Sequence, residues 1–309
     1  MKMSVEDQGA LEALETRLKT ILPAQYQDCY DDVQPVSMGS AGLKFSNDGK
    51  VAWNEIWHTF CDLAMAGGPP HKGKLLEPGS PVEIEAQAAR YRQVVEEICR
   101  GVSMVARLAA QTSPIPGWVR VDCANEGMAG WLLRANVMEN ISAYCEGTVV
   151  HLPAGPGYQM GKEIKNVITV IAKTSHYWLS HIGAGQQSDI ANLFAKMAVE
   201  SPLIQPALAG YDFEADRYQM LCGEMAQRIH QATGLGRSNH QYFGWLGLEC
   251  LDIRAAIWMM RGLIVSNVLS RREETALFIP VNLANDPKGE IVVRALVRIH
   301  RFAVARNIL

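Results

Sequence analysis

The chain has 309 residues, 48% of them hydrophobic and 20% charged, with a formal net charge of −3. That length and apolar content support a full hydrophobic core and exclude a disordered chain. The small net charge gives no electrostatic ground for a nucleic acid or an anionic membrane as partner. The start, MKMSVEDQGALEALE, holds no apolar run of the signal-peptide kind. No charge-free stretch is long enough to span a bilayer. Seven cysteines, at 29, 61, 99, 123, 145, 222 and 250, form no CxxC pair. Their odd number and spacing point to a reducing, cytoplasmic setting.

Residues 1–20 carry the spacing of an amphipathic helix, and 21–40 are irregular. GLKFSNDGKVAW predicts a hairpin turning at Asn47, Asp48 and Gly49. VAWNEIWHTFCDLAMA follows as a helix and stops at the Gly-Gly-Pro-Pro of GGPPHKGK.

From there the chain repeats itself. Residues 117–153 align with 244–280 at a constant offset of 127. Identical pairs include Gly117/Gly244, Trp118/Trp245, Cys123/Cys250, Trp131/Trp258, Arg134/Arg261, Asn140/Asn267, Glu146/Glu273 and Pro153/Pro280. Chance supplies roughly two matches in such a window. The offset continues upstream through Arg90/Arg217 and Tyr91/Tyr218, and downstream through Glu163/Glu290. A duplicated unit therefore covers at least 83–173 and 210–300.

Within the first copy, residues 82–110 predict a helix and WVRVDC a strand. A helix follows at about 124–143, then a strand at TVVHLP and a helix at KEIKNVITVIAKTSHYW. A strand, a crossover helix and a second strand imply parallel pairing. The expected class is α/β: a tandem duplication of an α-β-α-β-α unit with mainly parallel strands and pseudo-twofold symmetry, behind the N-terminal helix and hairpin. The domain reading is 1–82 for that N-terminal segment, 83–176 for the first repeat, 177–209 for a connecting helix and 210–309 for the second repeat.

Candidate chemistry starts with residues that both copies share. Arg134 and Arg261 lie mid-helix among apolar neighbours, and a buried guanidinium needs a partner. Glu146 and Glu273 are the candidates for structural ion pairs, with Asp122 and Glu249 as alternatives and a substrate clamp as the functional reading. Cys123 and Cys250 each end a strand just before a helix, where N–H groups lower a thiol pKa. The adjacent Asp122 and Glu249 oppose that shift.

Differences between copies point the other way. The first copy has Glu126 and His151 where the second has Ile253 and Phe278. An imidazole and a carboxylate beside a thiol suit acid–base or nucleophilic catalysis. The plainer reading is a hydrogen-bonded core histidine.

Gly157, Gly161 and Lys162 in AGPGYQMGKE make an anion cradle at a helix start, though not a Walker loop. His71 and Lys72 form a second anion candidate. Glu55, His58 and Asp62 share one helix face as weak metal ligands. His176 and His181 are five apart and show no strong ligand geometry.

The favoured function is an enzyme acting on a small, anionic metabolite by group transfer or hydrolysis. In this Cys/His-dependent scheme Cys123 is the nucleophile and His151 the acid–base. Glu126 and Asp122 orient the histidine, and Lys162 holds the anion. The alternative is a non-catalytic, pseudosymmetric binding or assembly module, favoured by the all-round apolar helix AAIWMMRGLIVSNVLS. Expected partners are a small-molecule ligand and, in the assembly reading, a second copy of the chain. No cofactor is specified by any motif.

Overall fold

The computed structural model describes residues 4–27, 42–56, 73–208 and 214–309. Helix α1 (Val5–Ile21) is capped by Ser4, whose side chain accepts the Asp7 N–H, and buries Leu11, Leu14, Leu18 and Ile21. At residues 42–52 the chain reverses over Asn47 to Gly49, with an antiparallel bridge between Phe45 and Val51.

The structure divides into two compact units, Pro35–Ala191 and Met1–Gln34 with Asn192–Leu309. In Pro35–Ala191, α2 (Pro81–Ala86) begins with Ser80 and Glu83 as a reciprocal cap and with proline in its first turn. Then come α3 (Ala88–Ala106), β1 (Ala109–Thr112), β2 (Trp118–Asp122) and α4 (Glu126–Met138). They are followed by β3 (Tyr144–Glu146), β4 (Val149–Pro153) and α5 (Lys165–His176). Helix α6 (Ala184–Glu200) leads from this unit into the other. There α7 (Ala215–Thr233), β5 (Gly236–Arg237), β6 (Trp245–Glu249), α8 (Ile253–Ile264), β7 (Arg271–Glu273), β8 (Ala276–Pro280) and α9 (Glu290–Ala305) repeat the order.

The expected mainly parallel α-β-α-β-α unit is not what forms. Each copy builds a four-stranded sheet, ordered β1-β2-β4-β3 and β5-β6-β8-β7, and every pair is antiparallel. The physical cause is one short strand. After the crossover helix α4 the chain enters β3, then turns at Glu146-Gly147-Thr148 and returns as β4. The crossover itself does deliver β3 in the direction of β2, but β4 inserts between them and so runs against both. The sequence reading took β4 for the strand that follows the helix, and the three residues of β3 were missed.

Equivalence between copies extends to single bonds. The pairs Trp118–Pro153 and Trp245–Pro280 occupy the same register. Tyr91 Oη accepts the Gly117 N–H at 2.8 Å, and Tyr218 Oη accepts the Gly244 N–H at 2.8 Å. Both glycines have positive φ, +91° and +78°, and a Cβ on either would stand within 3 Å of a backbone carbonyl, Gly79 O or Ala207 O. Asn125 and Asp252 cap α4 and α8 through the Met128 and Ala255 N–H groups.

In the first sheet, alternation places Val119, Val121, Val150 and Leu152 on a fully buried face. Helix α5 packs against α3 and α4, and α3 and α4 pack against the strands. The opposite face carries Gln111, Arg120, Asp122, Tyr144, Glu146 and His151, in register across the sheet. Among the described residues no helix is long and apolar enough to cross a membrane.

Candidate functional site

Cys123 follows β2 and stands two residues before the Asn125 cap. Its N–H donates to the Thr148 carbonyl at 2.9 Å. Burial pushes its thiol up to about 12, with Cys145 and Asp122 adding to the shift. Cys250 is its counterpart in backbone bonding and burial: its N–H donates to the Thr275 carbonyl at 3.1 Å, and burial pushes its thiol up to about 12. Desolvation at both positions outweighs the helix start that was expected to lower the pKa. Asp122 is held by Arg120 Nη2 at 2.8 Å and Gln111 Nε2 at 3.2 Å, and the Arg120 bond lowers its pKa. Glu126 is exposed on the first turn of α4.

His151 occupies the centre of the opposite face. It is 4% exposed, pairs in register with Arg120 and Tyr144, and stacks on the Tyr144 ring at 4.2 Å and 6°. Its Nδ1 lies 3.3 Å from Ser113 Oγ, and that oxygen also accepts the Ile115 N–H at 3.2 Å. Its Nε2 lies 3.8 Å from Glu146, whose side chain is largely exposed. Burial lowers the imidazole pKa, partly opposed by the Glu146 charge. The thiol of Cys123 continues the alternation of Val121, beside Val150 and Cys145, whereas His151 continues that of Arg120. The sheet thus puts the two groups of the catalytic scheme on opposite faces.

The second copy explains why it has no histidine. Phe278 replaces His151, and Arg271 replaces Tyr144 in the facing position. The Arg271 guanidinium lies 4.0 Å from the Phe278 ring centre, 4.4 Å from Tyr242 and 5.2 Å from Trp245. Its Nη1 pairs with Glu273 at 2.8 Å, and Glu273 also accepts the Tyr242 hydroxyl at 2.9 Å. His240 Nδ1 stands 3.3 Å from the same carboxylate. One copy therefore stacks a histidine on a tyrosine, and the other an arginine on a phenylalanine. The His/Phe difference is half of a paired exchange across neighbouring strands.

Comparison of the chain with family models, with curated proteins and with solved structures finds no match. The site must be read from its own atoms.

Arg134 is buried, and its Nη1 donates to the Gly130 carbonyl one turn earlier at 2.9 Å; burial lowers its pKa to about 10. Arg261 is half-buried. Glu273 is committed to Arg271, and Glu146 stands by His151. Around Lys162 the loop closes on itself. Glu163 accepts the Gln159 N–H at 2.8 Å, Tyr158 Oη donates to the Glu77 carbonyl at 2.7 Å, and Arg90 donates to the Tyr158 carbonyl at 2.8 Å. Gly157, Gly161 and Lys162 are exposed. His58, Asp62, His71 and Lys72 lie outside the described residues, and Glu55 is exposed. Among the described residues no group of three or more His, Cys, Asp or Glu converges on a metal position.

The sequence reading passed over Ser113, Arg120 and Tyr144, which build the His151 row. The alternation of Arg120 and Asp122 with Val119 and Val121 was the available signal for a polar face.

Proposed function

We propose that the chain is a non-catalytic binding or assembly module built from two copies of one antiparallel unit. The observation that carries this reading is the equivalence of Cys123 and Cys250. Both thiols are buried, both are pushed up to about 12, and both follow the same backbone bond to a threonine carbonyl. A residue retained in the same buried place in both copies serves the repeat. His151, Tyr144, Arg120 and Asp122 stabilise the polar face of the first sheet, as Phe278 and Arg271 stabilise the corresponding face of the second. What a duplicated unit offers is two related surfaces for one partner or for another copy of the chain.

A second reading has one observation in its favour. Ser113, His151 and Glu146 stand in line, at 3.3 and 3.8 Å, in the order of a nucleophile, a base and an acid. Burial works against it, because Ser113 is 6% exposed while the acid faces water. Exposure of the whole chain to fluorophosphonate and chloroacetamide probes at neutral pH separates the two readings. The module reading predicts unmodified Ser113 and Cys123. Stoichiometric modification of either overturns it in favour of a hydrolase or transferase.

A further inference from the structure

Helix α5 ends in an unusual turn. Over Tyr177–His181 the backbone winds as a π-helix, closed by the Ile182 N–H donating to the Tyr177 carbonyl at 3.0 Å, five residues back. In an α-helix, residues five apart point roughly 140° away from each other. The wider turn brings His176 and His181 onto one side, and their Nε2 atoms stand 3.3 Å apart. Single π turns occur frequently at functional sites.

That separation has a chemical meaning. Two imidazole nitrogens bound to zinc at about 2.0–2.1 Å, in tetrahedral geometry, stand about 3.3–3.4 Å from each other. We propose that His176 and His181 form a two-histidine site for a divalent transition metal of the zinc class, with water completing the coordination. Ser180 Oγ lies 3.5 Å from His176 Nδ1. Metal binding at Nε2 would place the His176 proton on Nδ1, facing that hydroxyl, as outer-shell partners of metal-bound histidines do. The Tyr177 ring packs against His181 at 5.7 Å and 60°, which limits the rotation of that imidazole. Both histidines are half-buried and the intervening Leu179 and Ser180 are exposed, so an aqueous ion reaches the pair. The nearby cation, Lys173, is paired with Glu139 at 3.1 Å.

The test is calorimetric titration of the whole chain with Zn²⁺ at pH 7.5, alongside the visible spectrum of the Co²⁺ form as a reporter of tetrahedral geometry. His176→Gln and His181→Gln replace half-exposed side chains, and circular dichroism verifies that each variant folds. The expected result is one site per chain, weakened at least about tenfold in each single variant. Affinity also falls at pH 5, where protons compete for the imidazoles. Wild-type affinity in either single variant overturns the proposal. So does loss of the site in a His58→Gln, His71→Gln double variant while His176 and His181 are intact.

Discussion

Tyr91 and Tyr218 each hold the N–H of a buried glycine that has no strand partner for it. Replacing either by Phe retains the ring and removes the hydroxyl that accepts this N–H, which for Tyr218 also meets the Cys222 thiol. The Gly117 or Gly244 N–H is then left buried without a hydrogen bond, at a cost of about 1–3 kcal/mol. In a unit of this size, that lowers the melting temperature by roughly 2–12 °C. Urea unfolding followed by tryptophan fluorescence reads the change, since Trp118 and Trp245 are the residues next to the two glycines. Because both bonds are 2.8 Å long and occupy equivalent places, both variants are expected to lose stability in this range, Tyr218→Phe somewhat more because its hydroxyl also meets Cys222. The double variant should lose their sum. A loss below about 0.5 kcal/mol in both would show that these bonds do not anchor the strands. A loss confined to one would deny the equivalence of the copies.

The hairpin turns offer a matched pair of opposite sign. Gly147 and Glu274 both have positive φ, +56° and +51°, so Glu274→Gly should stabilise by about 1 kcal/mol and Gly147→Ala should destabilise by a similar amount, read as urea midpoints. The buried His151 has a lowered pKa, so the unfolded chain binds a proton that the folded chain resists. The stability it supports is full above the unfolded value near 6.5 and is lost as pH falls toward the folded value. His151→Phe should remove that dependence, and stability curves of wild type and variant should converge or cross between pH 7 and 5. His176 and His300, also lowered by burial, are common to both proteins and cancel in the comparison.

Much of the architecture was legible because duplication gives each residue a second witness. Strands β2 and β6, β3 and β7, and β4 and β8 stand 127 residues apart at both ends. Pairing direction was not legible, because it turned on β3, three residues whose sequence YCE alternates too briefly to show a period. The helix expected over 82–110 is broken at Gln87 and ends at Ala106, where Arg107 turns left-handed; the next residues form edge strand β1. The site was misjudged for a related reason. His151 against Phe278 looks like gained chemistry when taken alone. It takes strand register to see that Tyr144 faces His151 and Arg271 faces Phe278, so that one stacked pair stands in for the other. Cys123 was placed correctly at a strand end, but the sequence did not show how deeply it is buried.

The most direct test of the structural role assigned to the repeated cysteines is iodoacetamide labelling of the folded chain from pH 6 to 10, with Cys123 and Cys250 resolved by peptide mass spectrometry. Thiols pushed up to about 12 by burial should react slowly, at rates within a few-fold of each other, and should show no plateau across this range. His151→Phe should leave the Cys123 rate unchanged, because the imidazole faces the other side of the sheet. A Cys123 that reacts far faster than Cys250, titrates below about 8.5 and slows in His151→Phe would contradict the account and restore a catalytic thiol.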